Sequence, residues 1–140
     1  MSHTAECIFC KIVAGEIPCL KVFEDDAVLA FLDIGPLADG HVLLIPKRHY
    51  ERLDAMPADA ASELMQHLPR LAAAVLAATG ADAYNILVNI GPVAGQLVMH
   101  VHVHIIPRAN GDGLGYRWSA KQYQGDRGKQ LAGQIASRLA

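Results

Sequence analysis

Residues 100–107 read His-Val-His-Val-His-Ile-Ile-Pro, three histidines at every second position. In an extended strand a period of two puts His100, His102 and His104 on one face and Val101, Val103 and Ile105 on the other. Imidazole is neither strongly β-forming nor easily buried, and three in register repel when protonated, so a purely structural strand has little use for them. What imidazole does offer near neutral pH is a nucleophile, a proton carrier or a metal ligand. On such a strand His104 lies about 7 Å beyond His102, two residues at roughly 3.3 Å each. Cys7-Ile-Phe-Cys10 is a second constellation, with the Cys-x-x-Cys spacing of a metal knuckle. From the residues alone the pair reads as two metal ligands, a redox dithiol, or two reduced and partly buried thiols, and no Trp-Cys-Gly-Pro context favours the dithiol. Cys19 has no partner at useful spacing and reads as inert. A different scheme puts all three histidines on one catalytic zinc, which leaves the cysteine pair unexplained.

The elements that must hold these groups are well punctuated. Cys7 to Ala14 reads as a short helix ended by Gly15, with Pro18 just beyond. Residues 20–24 and 27–33 flank Asp25-Asp26 as a hairpin, and His41 to Pro46 is nearly all apolar, a strand buried on both faces. Pro57 opens a helix that runs to about Thr79 and is closed by Gly80, with Leu64, Leu68, Leu71 and Val75 at core spacing. Pro69 inside it removes a donor and crowds the carbonyl four residues back, so the helix must bend or break there. Residues 84–89 and 100–106 give two more strands, separated by the Gly91-Pro-Val-Ala-Gly95 loop. Leu131, Ile135 and Leu139 carry a last helix from about Arg127 to Leu139. Short turns and a single long helix between strands predict an α+β domain, a mostly antiparallel sheet with helices on one side.

Composition narrows the partners. With 140 residues the chain suits one packed domain. Its 12 basic and 14 acidic side chains leave it almost neutral, which argues against a nucleic acid or an anionic membrane as partner. Met1-Ser-His-Thr-Ala-Glu6 has no basic region followed by an apolar run, and the longest apolar stretch, Leu71 to Ala78, is far below a membrane span, so a cytoplasmic protein is expected. Three cysteines are no extracellular disulfide framework.

The run His100-Val-His-Val-His-Ile-Ile resembles the signature of the histidine-triad (HIT) family, His-Φ-His-Φ-His-Φ-Φ with Φ apolar. The likeness extends to Phe31-Leu-Asp33, Gly40-His-Val-Leu-Leu-Ile-Pro-Lys47, Asn89 and Gly95-Gln96, over roughly residues 7–110. It is nearest to zinc-carrying bacterial HIT proteins beside the histidine-triad nucleotide-binding (Hint) branch. The resemblance implies a two-fold dimer of HIT-like α+β subunits, each with one long and two short helices. It also implies one domain over 1–140, with its core at about 7–110 and a tail and helix over 111–140. The implied activity is hydrolysis or transfer at the α-phosphate of purine nucleotide conjugates such as those of AMP, through a phosphohistidine, with release of a nucleoside monophosphate.

Residue by residue, the resemblance makes His102 the nucleophile, with His104 beside it and His41 supporting the triad from a neighbouring strand. It puts Asp33 on the ribose hydroxyls, with Ile34 and Phe31 walling the sugar or base. Asn89, Gly95, Gln96 and the backbone N–H groups of the 91–96 loop are the donors available to the phosphate. His49 and His100 match the positions that complete a Cys2His2 structural zinc site with Cys7 and Cys10. His100 then leaves the reaction to His102 and His104 and fixes their strand from beside it. Leu97 departs from the Hint pattern, which has a hydroxyl residue after Gly-Gln, and this puts efficient phosphoramidase activity in question. The same pocket also fits a hydrolase of dinucleoside polyphosphates, or a nucleotide-binding regulator whose hydrolysis is incidental. Apolar surface beyond what one small sheet covers points to the homodimer. Gly113-Leu-Gly-Tyr-Arg-Trp118 is then expected near the interface or the partner's pocket, as tails lie in relatives.

Overall fold

A computed structural model describes residues 4–115 and 118–139. Five strands form one antiparallel sheet in the order β1-β2-β3-β5-β4, with β1 at Lys21–Glu24, β2 at Val28–Leu32, β3 at Val42–Pro46, β4 at Ala83–Leu87 and β5 at Val103–Arg108. The helices among the described residues are α1 (Ile8–Val13), α2 (Ala58–Met65), α3 (Leu68–Thr79) and α4 (Arg127–Ser137). The long 57–79 helix is therefore two helices. Pro69 stands in the first turn of α3, where its missing N–H would have had no partner and its fixed φ suits the start of a helix. A proline in a helix interior costs about 3 kcal/mol, so breaking at Gln66-His67 removes the penalty.

Strand alternation sorts the sheet into two faces. Val28, Ala30, Val42, Leu44, Val103 and Ile105 pack with Leu64, Leu71, Ala72 and Val75 of α2 and α3. On the opposite face Leu29, Phe31, Leu43 and Ile45 pack with Phe9 of α1. Helices thus cover both faces, correcting the one-sided arrangement: the continuous apolar runs of β2 and β3 have no solvated side, and α1 closes the second one. The side that α1 covers carries the chemistry.

The predicted strand over 100–106 starts only at Val103. His100 and His102 precede it, in a bent segment where Val101 N–H donates to Tyr50 O at 2.7 Å rather than to a neighbouring strand. His41 likewise lies one residue ahead of β3. The turn before it needs Gly40, at φ +90°, where a Cβ would clash with Thr79 Cγ2. α4 starts where expected but ends at Ser137 rather than Leu139; none of its residues is buried, and Ile135 within it and Leu139 beyond it are 62% and 83% exposed. Among the described residues nothing buries that stripe.

Candidate active site and metal centre

β5 is the hinge of the site. His104 sits on it opposite Leu43 of β3 on one side and Leu87 of β4 on the other. A cavity of about 490 Å³ opens over this face, and His41, His102, His104, Phe31, Asp33, Ile34, Asn89 and Gly95 all line it. Residues far apart in sequence meet here because β2, β3 and β5 are neighbours in the sheet.

Hydrogen bonds to backbone groups determine where each imidazole carries its proton. His102 Nδ1 lies 2.7 Å from the carbonyl oxygen of His100, which only accepts, so Nδ1 holds the proton and Nε2 keeps its lone pair. His41 Nδ1 accepts from Leu37 N–H at 3.1 Å, so His41 is protonated at Nε2 and donates to His104 Nδ1 at 2.9 Å. His104 must then carry its own proton on Nε2, a buried atom with no partner among the described residues. The result is one imidazole with a free lone pair beside another with a free N–H, their ring centroids 4.9 Å apart.

Burial favours the neutral form of these rings. It draws the pKa of His41 and His102 below the ordinary imidazole value, against the pull of Asp33. His104 is brought down to about 4, by burial first and then by its histidine neighbours. Asp33 accepts from Gly35 N–H at 2.9 Å through Oδ1, and its Oδ2 is 3.7 Å from His41 Nε2, which leaves it capacity for further donors. Asp33, His41 and His104 cluster closely enough to suggest a metal site. They cannot form one while Leu37 occupies His41 Nδ1, because His41 Nε2 then has a proton where a cation needs a lone pair.

Two expected phosphate donors turn out otherwise. The Gln96 side chain is buried, accepting from Gly91 N–H at 2.7 Å and donating to the carbonyls of Glu51 and Val98 at 2.8 and 3.1 Å. In the loop, Ala94 and Gln96 donate to Gly91 O and Gly95 donates to Pro92 O. A short 3₁₀ turn over Pro92–Ala94 consumes these three amides, so they are not free donors to a phosphate. Asn89, whose Nδ2 is 3.5 Å from Gly95 O, remains at the cavity. Ile34 is 99% exposed at the mouth.

Sequence reasoning missed Phe9. Its ring stands edge-on to Phe31, His100 and His102, at 5.7, 5.8 and 5.1 Å, and lines the cavity. Its place beside Cys10, on the face of α1 that meets the sheet, was the available signal. The backbone carbonyls that set the tautomers had none.

The second cluster lies behind Phe9. Cys7 is the N-cap of α1, its Sγ accepting from Cys10 N–H at 3.3 Å. His100 Nδ1 lies 3.3 Å from Cys7 Sγ, 3.7 Å from Cys10 Sγ and 3.2 Å from His49 Nδ1, which is itself 3.3 Å from Cys10 Sγ. All four ligand atoms lie within 4.8 Å of one another. Around a tetrahedral zinc with bonds of about 2.0–2.3 Å, nitrogen and sulfur ligands sit roughly 3.3–3.8 Å apart, so the donor set fits that ion. His100 Nε2 donates to Pro46 O at 2.8 Å, which frees Nδ1 to act as a ligand. Burial holds the Cys10 thiol above its usual value, an environment in which a thiolate needs a cation.

One antiparallel sheet thus brings a lone-pair imidazole and an N–H imidazole to one cavity, beside a Cys2His2 cluster. The HIT domain family model matches residues 14–111, and the chain belongs to that family. Adenylylsulfatase HINT3 of Arabidopsis thaliana is 48% identical over 109 residues, 78% of this chain, and the aligned part spans 55% of the plant protein's length. Adenosine 5'-monophosphoramidase hnt1 of Schizosaccharomyces pombe is 41% identical, with 95% of this chain and 98% of the yeast protein covered. A zinc-bound histidine triad protein from Mycobacterium smegmatis superposes with a TM-score of 0.74 at 36% identity, covering 94% of each chain.

Proposed function

We propose that this protein is a HIT-type nucleotide hydrolase or transferase that releases a nucleoside monophosphate from purine nucleotide conjugates through a covalent histidine intermediate. The observation that carries this is the bond from His102 Nδ1 to the carbonyl of His100, which leaves Nε2 as the nucleophile. His102 Nε2 forms a bond to the α-phosphorus, and the bond to the leaving group breaks. The N–H of His104 donates to a non-bridging oxygen, and His41 holds His104 in the required tautomer. Water then attacks phosphorus, the N–P bond breaks with its pair returning to His102 Nε2, and the proton that the water sheds passes to solvent as the nucleoside monophosphate leaves. Asp33 takes the ribose hydroxyls, Phe31 and Ile34 wall the nucleoside, and Asn89 and Gly95 border the phosphate. Relatives named for phosphoramidase and adenylylsulfatase activity support the reading. Incubation with adenosine 5'-phosphoramidate, adenylyl sulfate and diadenosine tetraphosphate should release AMP from at least one of them; none released from any would reject it.

In this reading Cys7, Cys10, His49 and His100 hold a structural zinc, which supplies a closed four-ligand clamp between α1 and the segment before β5. Thiolates that remain reduced suit the cytoplasm. No helix among the described residues is long and apolar enough to cross a membrane. Residues 1–140 form a single HIT domain, and the tail and α4 serve a homodimer. β4 is an edge strand with Tyr84 and Ile86 41% and 42% exposed, and Trp118 is 81% exposed. Of the aromatic tail segment, Tyr116 and Arg117 lie outside the described residues. Light scattering at micromolar concentration should give twice the chain mass; a monomer would refute the pairing.

A further inference from the structure

Phe9 lies in sequence between Cys7 and Cys10, inside the Cys-x-x-Cys of the metal cluster. Its ring is 7% exposed and meets three others edge-on, with 72° between its plane and that of Phe31, 79° for His100 and 82° for His102. Among the described ring pairs, Phe9 alone joins a residue of the cluster to the nucleophile of the proposed reaction. His49 meets His100, and His104 meets His102 and His41.

Attack requires Nε2 of His102 to face phosphorus, and the imidazole has two orientations a half-turn apart about Cβ–Cγ. That torsion is broad and two-fold, so nothing intrinsic selects between them. The bond from Nδ1 to the carbonyl of His100 favours the productive orientation, but one hydrogen bond fixes one atom and lets the ring plane tilt about it. What packs against the ring sets the plane. Two rings do so, His104 with its centroid at 4.9 Å and Phe9 at 5.1 Å. Their own supports differ. His104 is on β5, which is paired on both sides, and is held by His41. Phe9 is on a helix of six residues, too short to stand alone in water. That helix is seated by the contacts of Phe9 with Leu29 and Phe31 and by the four cluster residues at its start. A metal bound to those four clamps α1 and Phe9 with it.

We propose that Phe9 is a positioning residue that holds the His102 imidazole with Nε2 toward the cavity, and that through it the alignment of the nucleophile depends on the metal cluster. This rests on His102 being the nucleophile. Phe9 also lines the cavity, and the two roles separate in kinetics. A wall for the nucleoside acts on ground and transition states alike and changes KM; alignment of the attacking atom is felt in the transition state and changes kcat.

The test compares zinc-loaded wild type with zinc-loaded Phe9→Leu, which keeps apolar bulk against Leu29 and Phe31 but has no ring. AMP release is read on whichever of adenosine 5'-phosphoramidate, adenylyl sulfate and diadenosine tetraphosphate the wild type turns over fastest. Phe9→Leu should lower kcat about 100-fold, the scale of a misplaced reacting group, while the Kd for AMP stays within about twofold. Ring-nitrogen NMR should show the His102 proton on Nδ1 in the wild type and averaged over both nitrogens in the variant. A chelator should lower wild-type kcat by a similar factor and that of Phe9→Leu by no more than about threefold further, because the link is already cut. An unchanged kcat, a loss confined to KM, or a His102 proton still on Nδ1 in the variant overturns the proposal and leaves the hydrolase reading standing. So does a variant that responds to the chelator as the wild type does, or that cannot be loaded with zinc. No AMP from the wild type on any of the three substrates overturns both.

Discussion

His102→Ala should lower AMP release at least a thousandfold while the protein stays folded and still binds AMP. The size of the loss follows from the loss of the covalent route: Nε2 of this ring is the lone pair at the centre of the cavity, and no other imidazole there has one free. Ground-state binding should suffer little, since Phe31, Leu43 and Asp33 line the cavity without it. Stability should fall by only about 1–3 kcal/mol, because the carbonyl of His100 loses a buried partner. The check is intact-mass spectrometry of enzyme quenched during turnover. Wild-type protein should carry one nucleotidyl group, mapped to His102, and the variant none. Undiminished activity in His102→Ala would reject the mechanism. An adduct found instead on His104 would show that the proton assignments derived from Leu37 and the His100 carbonyl are wrong.

Removal of the metal should be the largest change in stability. Purified protein should contain one zinc per chain, and a chelator should lower the melting temperature by on the order of 10 °C, equivalent to about 3 kcal/mol for a domain of this size. The loss is smaller than the 10–16 kcal/mol of a zinc-finger peptide because the sheet and α2–α3 retain their own core without the ion. What it releases is α1. Cys7 caps that helix and Cys10 is wholly buried against His100, so the six-residue helix depends on the cluster for its anchorage. Cys10→Ser should reproduce the chelated melting temperature and bind zinc weakly. A metal-free wild type that melts at the unchanged temperature would remove the site, and zinc bound through His102 would remove the proposed mechanism as well.

Much of the fold is legible in local pattern. The apolar runs of β2 and β3, the hairpin at Asp25-Asp26, Gly80 closing α3 at φ 75° and the break enforced by Pro69 are all short-range effects, read from residues a few positions apart. The second helical layer was not legible. α1 is six residues long, and its burial on the far face depends on Phe9 meeting Leu29 and Phe31, contacts that no local period announces. The limits of β5 were also misread, because alternation marks side-chain faces and not ladder hydrogen bonds; Val101 keeps the alternation while its amide pairs with Tyr50.

For the site, residue type and spacing alone determined that this chain has imidazoles fit for nucleophilic work and a cysteine pair fit for a metal, since those are covalent properties of the side chains. Tertiary structure alone decided where each histidine carries its proton. His100, His102 and His104 are chemically identical and equally spaced, and they are distinguished by three acceptors or donors distant in sequence or in the backbone: Pro46 O for His100, the carbonyl of His100 for His102, and His41 for His104. The same holds for Gln96, whose amide serves the loop because Glu51 O lies within 2.8 Å. An imidazole has one proton to place between two nitrogens, and the fold places it by presenting a carbonyl to one of them.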